Sequence, residues 1–477
     1  MTVELGGGTT LSDGELFELV ELLRSLIRIP SVNPPAPDAP DGELAAARFL
    51  EQVLAAEGIP STVVEPFPGR GSIVARLHGD GTGGDPLLLL SHLDVVPAPP
   101  EGWTHDPFAA DLEDGFVWGR GAVDMKGMVA MEAQVMRRLA RSARAAGLDP
   151  ATDAVPGLRR DVIFCCASDE EAGGVEGAGW LVDNHPEWLR AAAALNEAGA
   201  IELKYGGVRF YPIQVAEKGF VVYRIHVQGR WGHGSVPTAD NAAVLAAQVV
   251  TRLAEPGPVR LTGPVGASLA RALPHLTARA AAAIRSLAAA GAAPDSAAIE
   301  ATIRELCDPV MARTVSAIVR DTVSVGILRA GVKYNVIPGA AEIEIDCRIL
   351  PGTDEAAMRA ELRRRIGEEL WNRIELECVL VGQPVEAPLD GPIYPLLEQV
   401  LRDHDPGAVP LPFLAPYATD AKHLTRIGVP TYGFSPLRMS GDDNFLALLH
   451  AVDERLSVEA LGFGLPVLGD AVARFCG

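Results

Sequence analysis

Lysine is scarce in this chain: Lys126, Lys204, Lys218, Lys333 and Lys422 are its whole complement in 477 residues. Cations are outnumbered overall, 41 Lys and Arg against 62 Asp and Glu, for a formal charge of −21. A surface this acidic repels nucleic-acid phosphates and anionic lipid, so neither is an expected partner. Aromatics reach only 5% while apolar residues make up 48%, so a large core must rest on Ala, Val, Leu and Ile. No apolar run is long enough to cross a bilayer. The start lacks a basic stretch followed by an apolar one, and a cytoplasmic protein is the expectation. The cysteines Cys165, Cys166, Cys307, Cys347, Cys378 and Cys476 include no C-x-x-C pair. Cys165 and Cys166 are neighbours on a strand-like run and point to opposite faces, so all six read as reduced and structural.

The length calls for two or three domains. Residues 12–29 carry apolar side chains at helical spacing, with Ser12-Asp13 as a cap and Asn33-Pro34-Pro35 as a stop. A second helix is expected over 43–58. Pro86-Leu87-Leu88-Leu89-Leu90-Ser91 reads as a strand buried on both faces, as does 161–167. Helices over 124–140 and 175–184 and a strand over 191–196 complete an alternation that predicts an α/β fold with a mostly parallel sheet between helices. From residue 216 the pattern changes. A half-exposed strand over 220–227, a helix over 241–253, strands over 322–328 and 341–348 and a helix over 353–370 suit a smaller inserted α+β domain. The expected division is 1–215 for the first part of the α/β domain, 216–384 for the insert (with an Ala-rich helical stretch over 256–320) and 385–477 for the returning part of the α/β domain, which includes a helix over 393–404.

Acidic and imidazole groups fall just after strand ends, the edge where open α/β sheets bind ligands. Ser91-His92-Leu93-Asp94 closes the leucine strand. A neutral imidazole suits zinc, and a carboxylate two residues on can hold its other ring N–H; the plain alternative is a histidine satisfied within a turn. Gly119-Arg120-Gly121 leads to Asp124 at an expected helix start, where the acid either approaches a buried site or caps the helix. The phosphate-loop pattern is missing there. Ser168-Asp169-Glu170-Glu171 follows a buried strand. Adjacent carboxylates repel, so three in a row usually form a solvated turn; at the end of a buried strand they need a compensating cation. Asn196-Glu197 also ends a strand, and His450 stands between Leu448-Leu449 and Asp453-Glu454-Arg455. Taken singly, these last two are an acidic turn and a weak signal.

Together, in this order, the segments resemble the co-catalytic metallopeptidase family of aminoacylase, acetylornithine deacetylase, succinyl-diaminopimelate desuccinylase, glutamate carboxypeptidase and carboxypeptidase S. His450-x-x-x-Glu454-Arg455 and the long insert look closest to the carboxypeptidase S and N-acyl-amino-acid hydrolase branch. The resemblance implies that His92 and Glu197 bind one divalent cation and Glu171 and His450 another, with Asp124 bridging them. Zinc is the implied metal, and cobalt or manganese suit the same donors. It also implies that Asp94 orients His92 and that Glu170 is the general base. Glu217-Lys218-Gly219 resembles the opening of the family's lid domain. Gly232-His233-Gly234-Ser235-Val236-Pro237 resembles its G-H-x-S-x-P stretch, whose histidine stabilises the oxyanion. Asn335 in Tyr334-Asn335-Val336-Ile337-Pro338, and Arg348 after Asp346-Cys347, match substrate-holding positions. Where the family often has Gly-Pro-Gly near the substrate carboxylate, this chain has Gly433-Phe434-Ser435-Pro436, with Gly433 as the expected contact. Thr419-Asp420 resembles a position lining the site. The implied activity is hydrolysis of an amide or peptide bond beside a free carboxylate, in a small peptide or an N-acyl amino acid, with a homodimer through the lid as a further implication. The alternatives are a dimetal phosphoesterase, disfavoured by the missing phosphate loop, and a non-catalytic metal-binding relative, disfavoured by the presence of Glu170.

Overall fold

A computed structural model describes residues 11–34, 42–289, 296–306, 309–440, 443 and 445–477; Pro35 and Cys307 lie outside these. The chain falls into two compact units, one of Met1–Val215, Ala387–Phe413 and Thr419–Gly477, the other of Ala216–Glu386 and Leu414–Ala418.

In the first unit the four-leucine run becomes the strand Leu87–His92, buried along its whole length. It pairs in parallel with Val162–Ala167 on one side and Ala193–Asn196 on the other, and Thr431–Gly433 extends the parallel set. Antiparallel strands flank this centre: Ser61–Phe67 and Arg70–Leu77 on one side, Val208–Glu217 on the other. Leucines cover both faces because both faces are packed. Leu88 and Leu90 join Ile163, Leu181, Leu189 and Leu424 in one cluster. The helices Asp13–Ile27, Lys126–Ala145 and Val458–Cys476 pack on one another, and the last two also on the leucine strand. Each leucine so buried contributes about 1.5–3 kcal/mol.

The parallel register decides where the site forms. His92 lies opposite Ala167, and Gly433 opposite Asn196, so the residues following these strands emerge along one carboxyl edge.

The second unit holds an antiparallel sheet in the order Thr322–Ala330, Ala340–Ile349, Gly219–Gln228, Ile374–Gly382. Burial alternates along Gly219–Gln228, as period-2 patterning requires. The inward residues Val221, Tyr223 and Ile225 pack with the helices Ala242–Leu253 and Glu355–Ile366 through Leu245, Val249 and Leu362. The Ala-rich stretch forms the helices Gly263–Ala272, Ala278–Ala289, Ser296–Leu306 and Pro309–Ile318.

Four local expectations change. The first helix ends at Ile27, before the Asn33-Pro34 stop. The helix expected over 353–370 breaks at Gly367, whose φ of +79° leaves helical geometry, and resumes as Glu368–Trp371. The stretch from Val175 opens as a wide π turn and becomes α-helical only at Trp180. Asp124 does not cap the helix it precedes. That helix starts at Lys126 with Met125 as an N-cap lacking a side-chain bond, and the Asp124 carboxylate faces two imidazoles instead.

Candidate metal centre

Each ligand candidate is delivered by a different element end. His92 is the last residue of the leucine strand. After Ala167 the chain turns through Asp169, with φ of +70°, into the single turn Glu170–Ala172. Glu197 follows the strand Ala193–Asn196 directly. His450, with φ of +57°, comes just after the short helix Phe445–Leu448.

These ends converge. His92 Nε2 lies 3.2 Å from Asp124 Oδ1 and 3.6 Å from Glu197 Oε2. His450 Nε2 lies 3.3 Å from Asp124 Oδ2 and 3.3 Å from Glu171 Oε2. Two donor groups result, His92–Asp124–Glu197 and Asp124–Glu171–His450, each with its atoms within 4.8 Å of one another. Ligand atoms about 2.0–2.2 Å from a tetrahedral cation sit about 3.3–3.6 Å apart, and the histidine–carboxylate spacings of 3.2–3.6 Å are close to that range. Glu171 Oε1 is buried without a hydrogen-bond partner, as expected of an acceptor that waits for a cation.

Electrostatics point the same way. Burial, then the charge of Glu197, pushes Glu170 well above the usual carboxylate range. Burial lifts Glu197 to about 7 against the opposing charge of His92. Burial also disfavours the charge on Asp124, but the His450 and His92 imidazoles outweigh it and hold that carboxyl low. Hydrogen bonds to Asp124 and Glu171 raise His450 to about 10. The site thus gathers more buried carboxyl groups than its own imidazoles and Lys422 can keep ionised, the condition a divalent cation relieves.

Asp94 serves the turn as much as the histidine. Its carboxylate accepts the backbone N–H of Glu170 (3.1 Å) and of Glu171 (3.0 Å), and Asn33 Nδ2 (2.9 Å). His92 Nδ1 is closer to the Asp94 carbonyl (3.0 Å) than to its carboxylate (3.4 Å). Behind it, Arg70 donates to Glu43 (2.7 Å) and Asn33 Oδ1 (2.8 Å), and Glu43 accepts the Asp169 N–H (2.9 Å). Asn33, Glu43 and Arg70 carry no sequence signal, since their spacing means nothing until the strands are paired. Lys422 Nζ stands 3.8 Å from Glu170 and 4.0 Å from Asp420. Gly433 lies on a buried strand with its Cα against the Glu197 carbonyl, where a Cβ would come within 2.4 Å.

The remaining sequence candidates belong to the second unit. His233 is exposed, and its Nδ1 takes the Ser235 N–H at 3.2 Å. Asn335 Oδ1 is buried without a hydrogen-bond partner. Arg348 pairs with Asp346 at 3.0 Å and lies over the Phe220 ring.

The sequence profile of peptidase family M20/M25/M40 matches residues 88–474. The chain belongs to this family. Human aminoacylase-1 is 28% identical over 450 residues, covering 92% of this chain and 90% of its own length. The N-fatty-acyl-amino acid synthase/hydrolase of Xenopus tropicalis is 26% identical over 467 residues, covering 95% and 85%. The M20 family metallo-carboxypeptidase Sso-CP2 of Sulfolobus solfataricus superposes with a TM-score of 0.66 at 17% identity, covering 97% of this chain and 99% of its own, so the α/β fold is the family's. The chain is a metal-dependent hydrolase of amide or peptide bonds.

Proposed function

We propose that this M20 hydrolase holds two zinc ions and cleaves the amide bond of an N-acyl amino acid or small peptide beside a free carboxylate. One observation carries the reading: the two oxygens of Asp124 face different imidazoles, His92 at 3.2 Å and His450 at 3.3 Å. His92 and Glu197 would hold one ion, Glu171 and His450 the other, and Asp124 both. Mixed imidazole and carboxylate donors suit zinc, and cobalt or manganese fit the same set. When bound, such a pair activates water and polarises the scissile carbonyl.

Glu170 is the general base. It sits beside the ligand Glu171 yet belongs to neither donor group, and its backbone is pinned by Asp94. It takes the proton of the attacking water and returns it to the leaving nitrogen. His233 serves the oxyanion by its sequence match. The Ser235 N–H donating to Nδ1 keeps the proton of a neutral ring on Nε2, a donor for that charge. Asn335, Arg348 and Gly433 hold the substrate carboxylate, Arg348 through its planar fork.

The N-acyl class is favoured by the likeness to aminoacylase-1 and to the N-fatty-acyl-amino acid enzyme. A homodimer through the second unit is part of the reading. So is a cytoplasmic location, which the free thiols of Cys165, Cys166, Cys347, Cys378 and Cys476 support. Among the described residues, no helix is long and apolar enough to cross a membrane.

Metal analysis combined with hydrolysis of N-acyl amino acids and dipeptides, each also as its carboxamide, tests the proposal. Two divalent ions per chain and turnover only of free carboxylates are expected. Fewer ions, or equal cleavage of the carboxamides, would remove it.

A further inference from the structure

We propose that Glu454 and Arg120 are positioning residues that fix the Asp124 carboxylate against His450. The inference rests on the reading of Asp124 as the shared ligand. Asp124 ends the loop Gly119-Arg120-Gly121-Ala122-Val123, which has neither strand nor helix to hold it. Gly119 and Gly121 have φ of +151° and +86°, and a Cβ on Gly121 would meet Val95 Cγ1 at 2.8 Å. A loop of this kind keeps its backbone donors unpaired unless a side chain takes them.

Glu454, fully buried, takes them. Its Oε1 accepts the N–H of Val123 (2.8 Å) and of Asp124 itself (3.1 Å). Its Oε2 accepts the Gly121 N–H (3.1 Å) and Arg120 Nη1 (2.6 Å). Arg120 Nη2 then donates to the His450 carbonyl (3.2 Å), and the Gly119 N–H to the Glu454 carbonyl (2.9 Å). One carboxylate and one guanidinium therefore tie the segment bearing Asp124 to the segment bearing His450. Neither side chain is among the donor groups. They act by setting how far apart the two ligand segments stand, and an ion site tolerates about 0.5 Å of error.

The bonding pattern makes distinct demands on substitutions. Glutamine at 454 has one acceptor oxygen and one NH2, so either the Val123–Asp124 pair or the Gly121–Arg120 pair faces a donor. Lysine at 120 can keep the Glu454 contact but cannot also reach the His450 carbonyl with a second planar N–H.

Cobalt titration of metal-stripped protein, followed by visible absorption and calorimetry, tests this alongside thermal unfolding of the stripped forms. Wild type should take two cobalt ions. Glu454→Gln should bind both about 10–100-fold more weakly, the usual loss when a group orienting a ligand is changed. Arg120→Lys should weaken one of the two. A Glu454→Gln protein that binds both ions with wild-type affinity, whatever its unfolding temperature, overturns the inference, as does wild-type affinity in a folded Arg120→Lys protein. If Glu454→Gln does not fold, the lysine variant decides alone. A wild type that takes fewer than two ions brings down the shared-ligand reading and this inference together.

Discussion

Two neighbouring glutamates, Glu170 and Glu171, differ in what surrounds them. Glu171 faces His450 at 3.3 Å, while Glu170 has Lys422 at 3.8 Å and no imidazole within ion-pair reach among the described residues. Glu170→Gln should therefore keep both metals and lose about 10²–10⁴-fold in kcat. Metal content and turnover measured together decide it, and near-native turnover would end the assignment. The imidazoles carry a second prediction. In metal-free protein hydrogen bonds to Asp124 and Glu171 raise His450 to about 10, and against burial the charge of Glu197 holds His92 above its ordinary value, so the protonated form of each ring is favoured. A cation must displace those protons. Metal affinity should therefore rise with pH through neutrality, with proton release visible as heats that differ between buffers of different ionisation enthalpy. Identical heats in all buffers would contradict it. Singly, acids and histidines at the ends of apolar runs were weak signals; the five ligand candidates were legible through the family resemblance of their segments taken together. Their supporting groups Asn33, Arg70 and Glu43 were not, since they meet only through long-range folding.

Elements place these residues only where the backbone can pass. The turn carrying Glu170 and Glu171 is backed by Gly177, where a Cβ would stand 1.7 Å from the Ser168 carbonyl oxygen. Gly177→Ala has to push that turn aside. It should destabilise the protein by about 1–3 kcal/mol and lower activity more than a core substitution of equal cost far from the site; denaturant unfolding with paired kcat measurements checks this. In the second unit, Lys218 Nζ is buried and donates to the Ala317 and Arg320 carbonyls and Thr322 Oγ1, at 2.9–3.1 Å. Burial lowers it from 10.5 to about 7. The unfolded chain therefore binds the extra proton between about pH 7 and 10.5, and stability should rise with pH across that window. Lys218→Met should flatten this part of the slope in denaturant titrations; an unchanged slope would show that the ammonium stays charged when folded. Periodicity announced the strand Gly219–Gln228 and the helix Ile393–His404. It did not announce the break at Gly367 or the π turn at Val175, because a single glycine's φ and a widened turn leave the apolar spacing almost unchanged.

On the scale of the whole chain, the second unit's outer strand Ile374–Gly382 leaves Val379, Leu380 and Val381 at 45%, 53% and 40% exposure. Exposed apolar residues on an edge strand invite pairing with another strand. A homodimer through this edge predicts twice the chain mass by light scattering, and Leu380→Lys should shift the protein to monomer; a wild-type monomer at micromolar concentration would refute it. The sequence by itself determined the α/β order with its insert, because periodicity acts locally, and its resemblance to the metallopeptidase family supplied the class of chemistry and the five ligand candidates. Only the tertiary structure decided which oxygen of Asp124 faces which histidine, that Asp94 also pins the Glu170 turn, and that Glu454 and Arg120 hold the ligand loop. Those facts depend on strand register and on contacts between residues hundreds of positions apart, which no local pattern encodes.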